Sequence, residues 1–447
     1  MRILAALLLT AFLHAQSAFL VKPYLQLGNA PRPAVKERLE LLWQTEDRDA
    51  AWLVEVKAGR AWEVQAAPTF RRLDTPPLPA HRIYRATLRG LAPGGRVPYR
   101  VKREGKVVFE AEAQTRKTGP HRMVVFGDAA NGSVAQAAIA KAVAEVQPDA
   151  VFIVGDLVYG RGRATEYRDH FFPIYNSEAV PLMRRVPFLG VPGNHDVPFA
   201  QWPDAAAYFA YWSLPLNGPP LKAGDASAAP VVHGVHDAVV AASGLGFPRM
   251  ASFSFRYGKV HWTVLDSNTY TDWESPAMKA WLEADLKSAQ GAAWRIVALH
   301  HPLFQSSRAH SDDQWMRPLS PILEKYGVDL VLAGHVHNYQ RTAPIRFKPT
   351  RVGPHGQAVE GEFTVDETFD GKVVTRAKGI IHIVTGAGGA ELYDPGQTDA
   401  KDSWQPWTRA FISDKHSFTV LEVEAKQLTL RQLDAAGQEL DSFTLTK

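Results

Sequence analysis

The chain has 447 residues, no cysteine, and 50 Lys and Arg against 46 Asp and Glu, so its formal net charge is +4. A hydrophobic share of 46% at this small net charge excludes intrinsic disorder, and the absence of cysteine excludes disulfides, cysteine nucleophiles and thiolate metal sites. The mildly basic balance gives no indication of a nucleic-acid partner, and the length predicts two or three domains.

The first residues have the layout of a secretory signal peptide. Arg2 precedes an apolar run from Ile3 to Leu13, and Ala15 and Ser17 are small residues at the spacing of a cleavage site. A membrane anchor is the alternative, but the run is shorter than the roughly 20 apolar residues that cross a bilayer. We therefore expect a signal peptide over residues 1–18 and an exported mature protein, periplasmic or extracellular, without membrane contact.

Residues 19–117 show the pattern of β structure. Turn signals such as Pro93-Gly94-Gly95 separate short runs with alternating, β-branched and aromatic residues. No ionisable cluster appears among them, so we predict a small antiparallel β-sandwich domain that carries no chemistry. The predicted strands are Arg38–Thr45, Ala51–Ala58, Ile83–Leu88 and Arg100–Glu104, followed by a linker over Thr115–Pro120.

From residue 118 to 447 the pattern predicts a second domain in which strands alternate with helices, as in βαβ units. The predicted strands are Arg122–Phe126, Ala150–Val154, Val186–Val191, Ile296–Leu299, Val328–Leu332 and Ile380–Thr385, and the predicted helices are Val134–Val146, Pro276–Ser288 and Gln314–Tyr326. We expect long loops with short strands over Pro344–Lys378, an insertion over Pro215–Pro248, and a closing hairpin from His416–Val423 and Gln427–Leu433.

Polar residues of one chemical kind follow five of these strands. Because ligands bind beyond the carboxyl ends of strands in an open α/β sheet, we expect these side chains to meet. Carboxylate, carboxamide and imidazole groups suit Fe, Zn or Mn, and the set is too large for one tetrahedral ion but fits two ions that share a carboxylate. A single Gly-Asp is often only a turn or cap, but the joint pattern predicts a metal site. The residues are Asp128, Asp156, Asn194, His300, His335 and His337.

These motifs, in this order, resemble the five motifs of the metallophosphoesterases and, more narrowly, those of the purple acid phosphatases. The chain carries Gly127-Asp128, Gly155-Asp156-Leu157-Val158-Tyr159, Gly193-Asn194-His195-Asp196, Val297-Ala298-Leu299-His300 and Gly334-His335-Val336-His337. Its Pro23-Tyr24-Leu25-Gln26 opening and Leu91-Ala92-Pro93-Gly94 turn are similar to the fibronectin-III-like N-terminal domain of that family. The resemblance covers essentially the whole mature chain. It implies a four-layer α/β/β/α sandwich for the second domain.

Ala130 and Tyr159 bear on the branch of the superfamily. Many members have a ligating His two residues after the first Asp, where this chain has Ala130. The resemblance implies that Tyr159 replaces it as a phenolate ligand, which stabilises Fe(III) and gives that family its colour; a buried core tyrosine is the alternative. The family usually has Gly at the position of Ala130, a difference that matters only if the turn needs a positive φ.

By position, the resemblance assigns two ions that share Asp156. It implies Fe(III) at the site that contains Tyr159 and a divalent Fe, Zn or Mn at the site that contains Asn194. The ligands of the first ion are Asp128, Asp156, Tyr159 and His337, and those of the second are Asp156, Asn194, His300 and His335.

The predicted function is hydrolysis of small phosphate monoesters, of the acid phosphatase type. Two metals about 3.5–4 Å apart bind the phosphoryl oxygens and lower the pKa of a water, and the resulting hydroxide attacks phosphorus in line. We expect His195 and His310 to protonate the leaving oxygen. His301 is the weaker candidate because successive side chains along a strand point to opposite faces. Asp196 and Asp266 are expected to orient ligands or cap turns.

Two alternatives stay open at this point. A phosphodiesterase or nucleotide pyrophosphatase would use the same ligands, with Trp202, Tyr211, Trp212 and Tyr270 as candidates to stack on a nucleoside; core packing is the commoner role for each. A secreted binding protein without catalysis is the remote alternative, and the complete ligand set argues against it.

Overall fold

The computed structural model describes residues 17–197, 202–219, 249–353 and 357–447. Almost all of the predicted signal peptide and most of the predicted insertion over Pro215–Pro248 lie outside these ranges, as does the side chain of Trp202. In the described ranges, no helix combines the length and the apolar character needed to cross a membrane.

The N-terminal part is all β, as predicted. Its strands form two layers around a core that contains Leu41, Trp43, Val54, Tyr99 and Val101, all almost completely buried. Buried apolar and more exposed residues alternate over Tyr84–Leu88 and Tyr99–Lys102, the pattern of a sheet with one buried face. The strands are β1 (Val21–Gln26), β2 (Glu37–Glu46), β3 (Trp52–Ala58), β4 (Ala61–Val64), β5 (Thr69–Leu73), β6 (His81–Leu91), β7 (Arg96–Arg103) and β8 (Lys106–Gln114).

The remainder of the chain is an α/β unit, which confirms the predicted fold class. Its strands are β9 (His121–Phe126), β10 (Ala150–Val154), β11 (Phe188–Val191), β12 (Phe253–Tyr257), β13 (Val260–Leu265), β14 (Trp294–Leu299), β15 (Leu330–Ala333), β16 (Tyr339–Thr342), β17 (Ile345–Val352), β18 (Val359–Val365), β19 (Ile381–Thr385), β20 (Thr408–Ile412), β21 (Ser417–Val423), β22 (Gln427–Asp434) and β23 (Glu439–Thr446). Its longer described helices are Val134–Glu145, Trp202–Tyr211, Pro276–Ser288 and Ser320–Lys325. Shorter helical segments are Ala164–Glu166, Tyr167–Phe171, Phe172–Tyr175, Arg317–Leu319, Pro395–Thr398 and Lys401–Ser403.

Two sheets face each other in this unit. One runs β23-β22-β21-β9-β10-β11-β1-β2-β6-β5 and the other β12-β13-β14-β15-β19-β16-β20. Phe152 of β10 packs edge to face on Trp262 of β13, with ring centroids 5.6 Å apart. Ile139 of the helix Val134–Glu145 packs in the core around the first sheet, and Leu282 of the helix Pro276–Ser288 packs in the core against the second. The order is therefore helix, sheet, sheet, helix.

The two parts of the chain share one sheet. Strand β1 pairs in parallel with β11, with Gln26 opposite Phe188, so the first sheet continues into the N-terminal strands. At the junction, Arg116 donates to the Glu37 carboxylate at 2.9 and 2.6 Å, and both side chains are fully buried. The boundary between residues 117 and 118 stays a prediction.

Three segments differ from the sequence predictions. The helix predicted from Gln314 begins only at Arg317, because Pro318 and Pro321 have no N–H for the helical ladder, and the residues before it form tight turns. The region predicted as loops with short strands contains the hairpin of β17 and β18. A further strand, β23, follows the hairpin that was expected to close the chain.

Candidate metal centre

The predicted ligands meet at the carboxyl ends of the central strands. Asp128 follows β9 and Asp156 follows β10 in the first sheet, while His300 follows β14 and His335 follows β15 in the second. Asp128, Asp156 and His300 offer ligand atoms that all lie within 4.8 Å of one another. The sheets approach closely here, since a Cβ on Gly334 would lie 2.6 Å from the Val154 carbonyl oxygen.

Three of these residues have a backbone conformation that L-amino acids rarely adopt. Asp128, Asp156 and His335 have φ values of 58°, 47° and 66°. A non-glycine residue in the left-handed region costs about 1–3 kcal/mol and is found mainly at functional sites. The strain occurs where the strands deliver the site's side chains, which is consistent with a functional constraint.

A phenol, an imidazole and a carboxylate converge in the first cluster. The Tyr159 hydroxyl lies 2.9 Å from His337 Nε2 and 3.2 Å from Asp128 Oδ1, and His337 Nε2 lies 3.5 Å from Asp128 Oδ1. These are the groups that the resemblance assigns to the first ion, with Asp156 as the shared ligand.

The second cluster lies on the other side of Asp156. His300 Nε2 is 3.0 Å from Asn194 Oδ1 and 3.3 Å from Asp156 Oδ1. The rings of His300 and His335 have centroids 5.1 Å apart. Asp156 thus lies between the two groups of donors, as a bridging carboxylate would.

Each candidate histidine ligand has one ring nitrogen held by an oxygen. His300 Nδ1 lies 3.0 Å from the Val154 carbonyl oxygen, and His337 Nδ1 lies 2.6 Å from that of Glu391. His335 Nε2 lies 2.9 Å from Asp313 Oδ2. Such acceptors fix the tautomer of a metal-binding histidine and leave its other nitrogen free to coordinate.

The charges at the site also fit a cation. Asp128 and Asp156 are at most 1% exposed, and in the described part of the chain neither has Lys or Arg within 4.0 Å. Buried carboxylates need a compensating positive charge. Burial, together with Asp128 and Asp156, raises the pKa of Tyr159 well above its usual value, so a phenolate at this position requires a nearby cation. Oxygen and nitrogen donors of this kind suit Fe, Zn or Mn.

Two of the three candidate substrate histidines lie at the rim of the site. His195 Nδ1 lies 2.8 Å from the Gly160 carbonyl oxygen, and its Nε2 lies 3.9 Å from Asp156 Oδ2. The exposed His310 packs its ring 4.1 Å from that of His335. His301 is buried, with Nδ1 2.9 Å from Ser267 Oγ. It is therefore not available to contact a substrate.

Comparison with known proteins identifies the family. Residues 121–339 match the family model described as calcineurin-like phosphoesterase, and residues 379–442 match the one described as iron/zinc purple acid phosphatase-like protein C. The chain belongs to the purple acid phosphatase-like metallophosphoesterases. This confirms the family expected from the sequence motifs.

The relatives of this chain include purple acid phosphatases and proteins named as probable inactive purple acid phosphatases. Purple acid phosphatase 23 of Arabidopsis thaliana is 26% identical over 58% of this chain and 57% of its own length. Probable inactive purple acid phosphatase 27 of the same plant is 26% identical over 69% of this chain and 49% of its own. The chain thus spans about half the length of these relatives.

Solved structures show the same fold. A purple acid phosphatase from yellow lupin seeds, PPD1, superposes with a TM-score of 0.66 at 18% identity, covering 95% of this chain and 74% of the lupin chain. The structure of PhoD gives a TM-score of 0.60 at 14% identity, covering 96% of this chain and 94% of the other.

Alanine at position 130 fits the backbone of the turn after β9. In the turn after β9, the left-handed non-glycine residue is Asp128, not Ala130. The Ala130 carbonyl accepts a hydrogen bond from the Tyr159 amide at 3.0 Å. Glycine is therefore not required at position 130, and the residue helps to hold the loop that presents Tyr159.

Asp196 and Asp266 have the structural roles expected of them. The buried Asp196 carboxylate accepts hydrogen bonds from the backbone amides of Gly193 and Leu157 at 2.8 and 3.0 Å and of Val158 at 3.2 Å. Asp266 accepts from the Asn268 amide at 3.1 Å. Asp196 therefore joins the loop after β10 to the loop after β11.

Three contributors to the site were not predicted from the sequence. The Asp313 carboxylate contacts His335, the Glu391 carbonyl contacts His337, and Tyr393 stacks on His337 with centroids 4.0 Å apart and an interplanar angle of 10°. Asp313 lies three residues after His310, a spacing that was available in the sequence. A backbone carbonyl and a stacked loop tyrosine have no comparable sequence signal.

Proposed function

We propose that this chain is an exported, dinuclear-metal hydrolase of phosphate monoesters. The observation that carries the proposal is the convergence, at the carboxyl ends of strands from both sheets, of two buried carboxylates, a phenol, a carboxamide and three oriented imidazoles. The proposed ligands of Fe(III) are Asp128, Asp156, Tyr159 and His337, and those of a divalent Fe, Zn or Mn are Asp156, Asn194, His300 and His335.

The side chains divide the chemistry between them. Metal ions, when bound, supply positive charge to the phosphoryl oxygens and make a water nucleophilic at moderate pH. His195 and His310, at the rim of the site, supply the proton that the leaving oxygen takes up. With Nδ1 of His195 directed at the Gly160 carbonyl and Nδ1 of His310 at Asp313, the Nε2–H of each imidazolium is free to protonate the leaving oxygen.

The proposal favours monoesters over nucleotide or diester substrates. Tyr211, Trp212 and Tyr270 are each about 1% exposed and belong to the core. They are therefore not available to stack on a nucleoside. The presence of all seven donors supports activity, although some relatives carry names that call them probably inactive.

The test is metal analysis and an optical spectrum of protein purified without chelator, followed by hydrolysis assays. We expect about two metals per chain, a visible tyrosinate–Fe(III) band, and faster hydrolysis of p-nitrophenyl phosphate than of bis-p-nitrophenyl phosphate. A protein that binds no added metal and hydrolyses neither ester would overturn the proposal; faster diester hydrolysis would assign the alternative activity.

Variants separate the roles of metal and acid. Asp156→Ala is expected to remove metal and activity together. His195→Ala is expected to retain metal and lose about 10²–10⁴-fold in rate, the usual contribution of a general acid. Glu145→Ala, at the exposed end of a helix, is the control and should resemble wild type. Full activity in His195→Ala would refute its assignment.

A further inference from the structure

A single carboxylate oxygen of Asp313 lies between two histidines of the site. Oδ2 is 2.9 Å from His335 Nε2 and 3.1 Å from His310 Nδ1. Asp313 is half-buried and lies on a tight turn in which its own amide donates to the His310 carbonyl at 3.1 Å. It belongs to none of the five sequence motifs.

This contact determines which nitrogen of His335 is available to a metal. An ionised carboxylate only accepts hydrogen bonds, so His335 Nε2 carries the proton. In the neutral ring, Nδ1 then has the free lone pair. The ring is also held by its neighbours, with centroids 4.3 Å from His301 and 5.1 Å from His300. Asp313 thus fixes the tautomer and the rotation of His335.

The same oxygen determines the orientation of His310. Because His310 Nδ1 donates to Asp313, Nε2 is the nitrogen left for substrate. The His310 backbone is itself constrained: it has a φ of 58°, and its carbonyl accepts from Gln305 Nε2 at 3.0 Å. The ring therefore has one anchored edge and one free edge.

We propose that Asp313 is a positioning residue that orients both the second-site ligand His335 and the rim histidine His310. This inference rests on the proposed function for the roles of metal and acid. Its consequence is that loss of one side chain outside the ligand set weakens the second metal and misplaces the proton donor together.

The first arm of the test measures metal binding without substrate. Asp313→Ala and the near-isosteric Asp313→Asn are compared with Asp312→Ala, whose exposed carboxylate precedes Asp313. Chelator competition is expected to show second-site affinity 10–100-fold weaker in Asp313→Ala. The loss in Asp313→Asn should be smaller, because an amide oxygen still accepts, and Asp312→Ala should match wild type. Second-site affinity within twofold of wild type in both Asp313 variants would overturn the inference.

The second arm of the test separates the effect of Asp313 on metal binding from its effect on the proton donor His310. At saturating metal, Asp313→Ala should slow an alkyl phosphate more than p-nitrophenyl phosphate, because a poor leaving group depends more on the acid. His310→Ala should show the same discrimination but unchanged metal affinity, and adding it to Asp313→Ala should cost little more. Equal slowing of both esters would refute the role at His310.

A metal-free readout keeps this inference distinct from the proposed function. Imidazole ¹⁵N NMR should show His335 protonated at Nε2 in the wild type and a mixture of tautomers in Asp313→Ala. A wild type that binds metal without hydrolysing esters would end the proposed function but leave this result standing. An unchanged tautomer in the variant would end the inference alone.

Discussion

Replacing Asp196 by alanine tests whether one buried carboxylate holds the two loops that carry three of the seven proposed metal ligands. The side chain is fully buried and accepts three backbone N–H groups, two from the loop of Tyr159 and one from the loop of Asn194. Each buried donor left unsatisfied costs about 1–3 kcal/mol. For the three donors together, the cost is about 3–9 kcal/mol. Water that enters the vacated space can bind some of these donors, so we expect a cost near the lower value.

We therefore expect Asp196→Ala to lose about 3 kcal/mol or more of its free energy of unfolding, against roughly 5–15 kcal/mol for a typical domain. The assay is urea unfolding of both proteins after chelation, so that lost metal does not contribute. Asp196→Asn should lie between them, since its amide oxygen retains two of the bonds. The exposed Asp169→Ala is the matched control, expected within about 0.5 kcal/mol of wild type.

The functional consequence follows from the same contacts. Asp156, Tyr159 and Asn194 belong to the loops that Asp196 joins, so the variant should also bind both metals more weakly in a titration. A loss below about 1 kcal/mol with normal metal affinity would show that the loops hold their conformation without this carboxylate.

Three further predictions concern colour, the buried ion pair and pH. Tyr159→Phe should abolish the visible band while metal analysis still finds the second ion; a retained band would exclude Tyr159 as its source. Arg116→Met should lose about 3–5 kcal/mol in urea unfolding because Glu37 is left charged and buried, and Glu37→Leu added to it should restore most of the loss; two additive losses would contradict this coupling. Burial is the main cause that lowers the pKa of His382 to about 3. Between pH 6.5 and 3, the unfolded chain therefore binds a proton at this histidine that the folded chain does not bind. Stability therefore falls as pH drops through this window, by about 2 kcal/mol from this group at pH 5. His382→Leu should remove that part of the decline, and an unchanged pH dependence of unfolding would refute it.

The ligand-bearing loops were predictable because their signal is local. A short apolar strand followed by Gly-Asp, Gly-Asn-His-Asp or Gly-His-x-His predicts which side chain is the ligand. It also predicts that this side chain lies at the carboxyl end of its strand. The strand order does not enter that argument. This is why the residues near Asp128 and His300 were placed together without knowledge of the topology.

Other features depend on contacts between distant segments. The sequence of the first strand, Val21–Gln26, does not identify β11 as its neighbour in the sheet. Asp313 acts from the turn His310–Asp313, which lies directly before the predicted helix and has no part in its pattern. Pro318 and Pro321 within the predicted helix were a signal against its full length. Glu391 contributes only its backbone carbonyl, so its side chain carries no information about the role.

The shared sheet limits how this protein can be divided. Removing the N-terminal strands would uncover the β11 backbone at Phe188, where Gln26 of β1 now pairs with it, and exposed strand edges promote association between chains. Removal of residues 19–117 would also delete Arg116 and Glu37, the ion pair that is buried at the junction. A version that begins after residue 117 would thus need a redesigned β11 edge at Phe188. The N-terminal strands are therefore part of the sheet whose strands carry Asp128 and Asp156 as much as they are a separate module.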